Sequence, residues 1–292
     1  MSEKKIYLNL GCGRRYHPDW INIDVAPRGP DVIQYDLSRG IPFSGSSVDV
    51  VYHSAVLEHM RLEDAALFMA DCHRVLKSSG IVRVGVPDLE KACRLYLSKL
   101  ASSLNGDQAA AQDYDWILIE LLDQMVRESR GGRMLDYLRQ NPLPNEPFVF
   151  ERIGEEGRLL VEILQARESD KGTTGHRQDS VAALLHRLWK SMLCLPVAAK
   201  HQILRWLLGE EGWRALEIGR FRLAGEVHQW MYDRYSLARL LRRSGFSDPQ
   251  EQDAHTSRIA NWTSFHLDTL PDGRIIKPDL FFMEAIKPGL ST

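Results

Sequence analysis

Two glycines, Gly11 and Gly13, follow one apolar strand and precede a second that ends in a carboxylate, all within IYLNLGCGRRYHPDWINID at Ile6–Asp24. No other feature restricts the fold as much. A residue without a Cβ lets the backbone turn sharply and pass close to a ligand. An acid at the tip of the next strand is placed to accept hydrogen bonds from a ribose. The intervals then separate the nucleotide folds. A dinucleotide fingerprint wants a third glycine where Tyr16 stands and an acid about twenty residues further on, whereas Asp24 comes eleven residues after Gly13. The stretch RRYHPDWINI is too short for the helix on which a pyrophosphate rests. A P-loop is excluded because no Gly-Lys-Ser/Thr follows. What remains is a nucleoside-type ligand without a phosphate, read by acids at successive strand ends.

The chain after the turn continues as strands. Trp20–Asp24 is the second, Val32–Leu37 a third with Asp36 near its end, and Val48–His53 a fourth. Runs that are apolar rather than alternating suit strands buried on both faces of a parallel sheet. Arg61–Lys77 has helical spacing of its apolar residues, Ser78-Ser79-Gly80 is read as its stop, and Ile81–Val86 is a fifth strand. Ligands of such sheets bind at the carboxyl ends of the strands.

From Asp88 to about Arg222 there is no convincing strand. Helical patterns cover 89–104, 108–129, 134–139, 154–166, 180–195 and 197–220, and the polar stretch Glu168–Gln178 reads as a loop. The expected organisation is a core of residues 1–88 and 223–292 carrying an all-helical insertion at 89–222, a cap or an oligomerisation element. The core resumes with a helix at Ser236–Gly245. Short extended pieces follow at 246–257 and 259–266, then PDG at 271–273 as a hairpin turn, and a closing antiparallel strand, Leu280–Lys287.

Composition narrows the partners. A net charge of -2 over 292 residues gives no excess of cations for nucleic acid. The arginines at 239, 242 and 243 read as a solvated helix face. No apolar run approaches the roughly eighteen residues of a membrane span, and the four cysteines show no CxxC spacing. A cytoplasmic protein acting on a small molecule is the expectation.

LNLGCG with WINIDV, YDLSRGIPFSGSSVDVVYHSAVLEHM, HRVLKSSGIVRVGVPD and the late GEVHQWMYDRYSLARLLRRSGF together resemble class I S-adenosylmethionine-dependent methyltransferases, and most of all the type 11-like group often associated with glycan biosynthesis. The resemblance implies a Rossmann-like α/β sheet, mostly parallel with an antiparallel last strand, and S-adenosylmethionine as cofactor. It implies that Leu10, Gly11, Cys12 and Gly13 pass under the methionine and ribose, that Asp24 accepts from the ribose hydroxyls, and that Asp36 and Leu37 lie near the adenine. Ser54 to His59 would line the sulfonium and the acceptor; Glu58, by its position, orients either the cofactor's amino group or the imidazole beside it. This chain departs from the pattern in its curtailed connections, which leave the cofactor under-roofed and the insertion free to cover it.

An acceptor hydroxyl must lose its proton as the methyl arrives, so a positioned base helps. His59 and His228 are the candidates, with Asp88 second; Asp88 also suits a cap for the helix at Leu89. His17, His53 and His73 read as structural. Trp230 and Tyr232 offer aromatic faces to a sugar or ring, and Arg133, with Arg127 and Arg130, offers charge to an anionic substrate such as a nucleotide sugar. No His/Asp/Glu cluster has ligand spacing, so no metal is expected. The expected activity is O-methylation of a sugar or glycan precursor. Methylation of another small metabolite at N or O, or cofactor binding without turnover with the insertion serving a partner or a homodimer, are the competing readings.

Overall fold

The computed structural model describes residues 5–171 and 181–289, without the side chains of 167–200 and 203. Seven strands form one sheet in the order β3-β2-β1-β4-β5-β7-β6. They are β1 (Tyr7–Leu10), β2 (Ile21–Asp24), β3 (Val32–Gln34), β4 (Val48–Ser54), β5 (Leu76–Pro87), β6 (Ser247–Gln252) and β7 (Leu280–Ile286). The first five pair in parallel, and β7 runs antiparallel to both β5 and β6. This is the expected Rossmann-like sheet, mostly parallel, with the antiparallel strand near its edge.

Period-2 alternation divides the sheet into two buried faces. Leu8, Leu10, Val51, Val82, Val84, Phe281 and Met283 point to one, against α1 (Leu62–Val75) and α7 (Arg234–Arg243). α1 forms because Ala65, Phe68, Met69, Cys72 and Val75 fall on a single stripe. Burying side chains of this size contributes roughly 1.5–3 kcal/mol each for the larger ones. α7 starts at a capping box, with the Asp233 carboxylate accepting from Ser236 N and the Ser236 hydroxyl accepting from Asp233 N.

The other face explains how the short connections are tolerated. Parallel strands usually need a crossover helix, yet none lies between β1 and β2. Two buried asparagines, paired in register, satisfy the connecting loop instead. Asn9 donates to Asn22 and to the Arg15 carbonyl, and Asn22 donates to the carbonyls of His17, Trp20 and Asp31. The apolar cover comes from far along the chain. Ile259, Trp262 and Leu267 close over Trp20, Val50 and Tyr52, with Tyr7, Ile81 and Phe265 at the rim. Residues 259–266, expected as an extended piece, therefore fold as a 3-10 turn, Trp262–Phe265, that roofs the sheet.

Arg83 of β5 is on this face and is fully buried. Its guanidinium donates to Asp268 and Glu284 and to the Asp253 and Thr256 carbonyls, and lies 4.3 Å from the Trp262 ring centre.

Between β5 and α7 every described element is helical: α2 (Leu89–Leu104), α3 (Gln108–Val126), α4 (Gly132–Leu138), α5 (Glu146–Lys171) and α6 (Val181–Leu223). The helices α2 to α5 share a core of their own around Trp116, Ile117, Leu138, Leu143, Val149 and Val161. Several boundaries differ from the sequence expectation. α5 begins earlier than 154 and bends at Gly154, and α6 runs through Pro196 and breaks at Gly209, both glycines having left-handed φ. The stretch at 168–178 stays helical to Lys171, and its remainder lies outside the described residues. Ser78-Ser79-Gly80 does not end in a loop; β5 runs through it, held by Ser79 N donating to the Lys287 carbonyl. The PDG turn closes a small local hairpin, with Thr269 bridged to Ile275, rather than joining β6 to β7.

Candidate active site

The carboxyl ends of β1, β2 and β4 converge. Gly11 and Cys12 donate their backbone N–H groups to the Ile23 carbonyl, and Gly13 N donates to Asp24 Oδ2 at 2.8 Å. The second Asp24 oxygen accepts from Ala26 N at 2.8 Å. Each carboxylate oxygen has a further lone pair free for a hydroxyl. Gly11 and Gly13 both have positive φ, and no atom lies within 4 Å of where a Gly13 Cβ would stand. The turn is thus fixed from below and open above, which fits a ribose and its attached chain. Leu10 is buried in the core beneath it. Cys12 is buried too, and burial pushes its thiol up to about 11, so it is a filler and not a nucleophile.

Two cavities meet this edge. The smaller, of about 180 Å³, is lined by Gly11, Cys12, Gly13, Tyr52 and Ser54 on the sheet side and by Lys277 opposite. The larger is a groove of about 790 Å³, inside the roughly 300–1,000 Å³ span of small-molecule sites. Leu37 and Ser38 form one end of it and His59 and Arg61 the middle. Arg222, at the end of α6, and Gln229, a few residues beyond it, form the side. Asp36 is at the groove's edge, where its carboxylate caps the 3-10 turn at Leu37–Arg39 by accepting from Ser38 N. The residues expected around the cofactor therefore divide between two cavities, with the glycine turn on one side and Leu37 on the other.

After β4 the chain makes a 3-10 turn, Leu57–His59. The segment 228–232 is stitched across it. Gln229 N and Trp230 N donate to the Glu58 carbonyl, His228 N donates to the Gln124 carbonyl of α3, and Leu89 N donates to the Tyr232 carbonyl. Glu58 is 1 % exposed and His228 5 %. The His59 and His228 rings meet edge to face with centres 4.8 Å apart. Burial raises the Glu58 carboxyl to about 7, lowers His59, and lowers His228 to about 3. One donor atom from each of the three lies within 4.8 Å of the others. Sequence spacing showed no such cluster, because the two neighbours Glu58 and His59 meet their third member only through folding. An adjacent acid and histidine at a strand end, with a lone histidine just past the helical region, was the available hint.

The remaining expected site residues fall elsewhere. Asp88 caps α2, its carboxylate accepting from Lys91 N. Tyr232 is 1 % exposed and packs in the main core, so its ring cannot lie on a substrate. Trp230 is 42 % exposed, next to Gln229 of the groove. Arg133 has an exposed side chain outside both cavities, and its backbone N–H is bound by Asp123. Arg127 is buried in ion pairs with Asp123 and Glu226, which removes it as a substrate contact. No described helix is long and apolar enough to cross a membrane.

Comparison with known proteins agrees with this edge. Residues 8–84 match the family model described as "Methyltransferase domain". Two relatives in Mycobacterium tuberculosis, "Probable S-adenosylmethionine-dependent methyltransferase MT3114" of strain CDC 1551 / Oshkosh and "Probable S-adenosylmethionine-dependent methyltransferase Rv3030" of strain ATCC 25618 / H37Rv, are each 35% identical over 99 residues. That alignment covers 28% of this chain and 35% of each relative, so the chain spans about a third of the length of the curated relatives it matches. A crystal structure of a SAM dependent methyltransferase from Archaeoglobus fulgidus is similar at 10% identity and a TM-score of 0.37, over 97% of this chain and 86% of that one, a likeness too low to carry weight.

Proposed function

We propose that this chain is a class I S-adenosylmethionine-dependent methyltransferase that methylates a hydroxyl of a sugar or glycan precursor. The observation that carries the transferase part is the Gly11–Gly13 turn locked onto Asp24, inside a segment that matches a methyltransferase domain. Gly11, Gly13 and Asp24 hold the ribose side of the cofactor in this reading, Leu37 the adenine side, and Ser54 faces the methionine part. Residues 89–222 serve as a cap whose last turns, through Arg222 and Leu223, wall the acceptor groove.

Bound at the glycine turn, the cofactor would supply the methyl group, the acceptor oxygen bonding to the methyl carbon as the carbon–sulfur bond breaks to leave S-adenosylhomocysteine, and the hydroxyl proton would pass to the His59 imidazole. Alignment of the three atoms is the main contribution of the protein and is worth several kcal/mol. His59 lines the groove and, with His228 behind it, supplies nitrogen lone pairs at the acceptor end. A groove that sets Arg61, Asp64, Arg222 and Gln229 beside Phe68 and Leu223 suits a ligand with many hydroxyls and some apolar surface, which is why a sugar is preferred to a flat aromatic metabolite.

Calorimetry with S-adenosylmethionine and S-adenosylhomocysteine tests the cofactor part; absence of binding by either would end it. A panel of sugars, sugar nucleotides and aromatic metabolites, assayed for methyl transfer with the full chain, tests the acceptor part. Turnover confined to the aromatic compounds would replace the sugar reading with the metabolite one.

A further inference from the structure

We infer that Glu58, His59 and His228 form a binding site for a divalent transition-metal ion of the zinc class. The inference concerns the acceptor end of the proposed site, but it stands on geometry that owes nothing to methyl transfer. Glu58 Oε2, His59 Nδ1 and His228 Nδ1 are all buried, and none has a hydrogen-bond partner. Buried polar atoms are nearly always satisfied, so three orphans in one place call for a common partner. Their residues converge, with one donor atom of each inside 4.8 Å of the other two. Two imidazoles and one carboxylate gathered on one point are the donor set of the His₂Glu zinc sites and of the two-histidine, one-carboxylate iron sites. Magnesium and calcium, which want all-oxygen shells, are disfavoured by the same set.

The surroundings have the features of a prepared site. The Val227 carbonyl acts on the His59 ring as a hydrogen-bond acceptor, and a ring nitrogen held by a backbone carbonyl fixes the other nitrogen for a metal. His228 is anchored through its backbone N–H to Gln124, and Glu58 through its carbonyl to Gln229 and Trp230. The Tyr232 hydroxyl is also buried without a partner, and its ring is close enough to Glu58 to feel the carboxylate. Two cations stand nearby, and both are countered: Arg127 by Asp123 and Glu226, Lys277 by Glu156. His59 also lines the large groove, which sets the three donors beside the space proposed for the acceptor.

The test uses the full chain without an affinity tag, stripped with a chelator and titrated with zinc against a chromophoric competitor. One equivalent bound in the submicromolar range is expected, and cobalt in place of zinc should give visible bands of a nitrogen- and oxygen-ligated ion. Glu58→Gln, His59→Gln and His228→Gln should each weaken zinc by more than the roughly 10–100-fold that loss of an outer partner costs, while His255→Gln on the surface should leave it unchanged. No bound equivalent, or equal affinity in all four variants, overturns the site. Far-UV circular dichroism and melting accompany each variant; should His228→Gln fail to fold, the half-buried His59→Gln still decides. Neither cofactor nor acceptor enters these measurements, so a failed transferase assay leaves the metal site standing, and a failed titration leaves the transferase reading standing.

Discussion

The backbone N–H of Gly13 donates to Asp24 Oδ2 at 2.8 Å, so the glycine turn and the acid at the end of β2 are one unit. Asp24→Ala removes the proposed ribose acceptor and also releases the turn. Hydrogen bonds to a charged group contribute about 1.5–3 kcal/mol each. Affinity for S-adenosylhomocysteine should therefore fall roughly tenfold to more than a hundredfold, measured by calorimetry, with the fold retained. Unchanged affinity would mean that the ribose binds elsewhere.

Alanine at the two glycines should have opposite emphases. Both have left-handed φ, which costs an L-residue roughly 1–2 kcal/mol. At Gly11 the new Cβ would also come within 2.6 Å of Val56 Cγ2, so Gly11→Ala should be the more destabilising in urea. At Gly13 nothing lies within 4 Å, and the added methyl projects into the open space above the turn. Gly13→Ala should thus lose little more than the strain in stability but lose cofactor affinity at least tenfold. The reverse order would place the cofactor away from the turn.

These residues were legible in the sequence because each acts locally. A glycine turn, an apolar strand and a helical stripe carry their own spacing, and β1, β2, β4 and α1 were read to within a residue or two. What was missed depends on contacts across the chain. The aromatic roof needs Trp20 and Trp262 to meet, and neither shows its partner by position. Arg83 sits in the middle of an apolar strand, where Asp268, Glu284 and the Asp253 and Thr256 carbonyls make it tolerable. Pro196 looked like a stop and Gly209 did not, yet Gly209 is the break, since φ of +66° is open to glycine. The meeting of His228 with Glu58 and His59 is of the same kind, a product of the fold alone.

Arg83 gives the strongest stability prediction. Its guanidinium is 0 % exposed and bound by two buried carboxylates, and one of these, Asp268, also accepts from the Tyr52 hydroxyl. Arg83→Met leaves Asp268 without its paired arginine and Glu284 with Arg258 alone, and unties the 253–268 segment from the sheet. Removing one member of a buried ion pair costs about 3–5 kcal/mol. Urea unfolding should show a loss of that order, and adding Glu284→Gln and Asp268→Asn should recover part of it, because the stranded charges are then gone. A loss below about 1 kcal/mol would mean that the network is balanced by water rather than by the arginine.

Part of the acid limb of stability should trace to His53, with His228, which burial also lowers to about 3, adding to it in the same sense. Its ring is fully buried on β4 against Phe68, both nitrogens lack partners, and burial lowers it from 6.5 to about 3. The sign depends on which state takes the proton. Below about pH 6.5 the unfolded chain binds a proton on this residue that the folded chain refuses until about pH 3, so stability is present above 6.5 and drains away as pH falls between the two. The slope approaches about 1.4 kcal/mol per pH unit for one such group. Asp279, which burial raises to about 6, and Glu58, raised to about 7, work in the opposite direction, since the folded chain gains from their protonation as pH drops. A difference between variants isolates His53. His53→Phe keeps the ring against Phe68 and removes the titration, so its unfolding free energy should lie at or above that of the parent at pH 7 and should fall less steeply from pH 6.5 to 4, by about 1 kcal/mol per unit. Parallel curves for the two proteins would show that His53 becomes protonated within the fold and that its neutral burial is wrong.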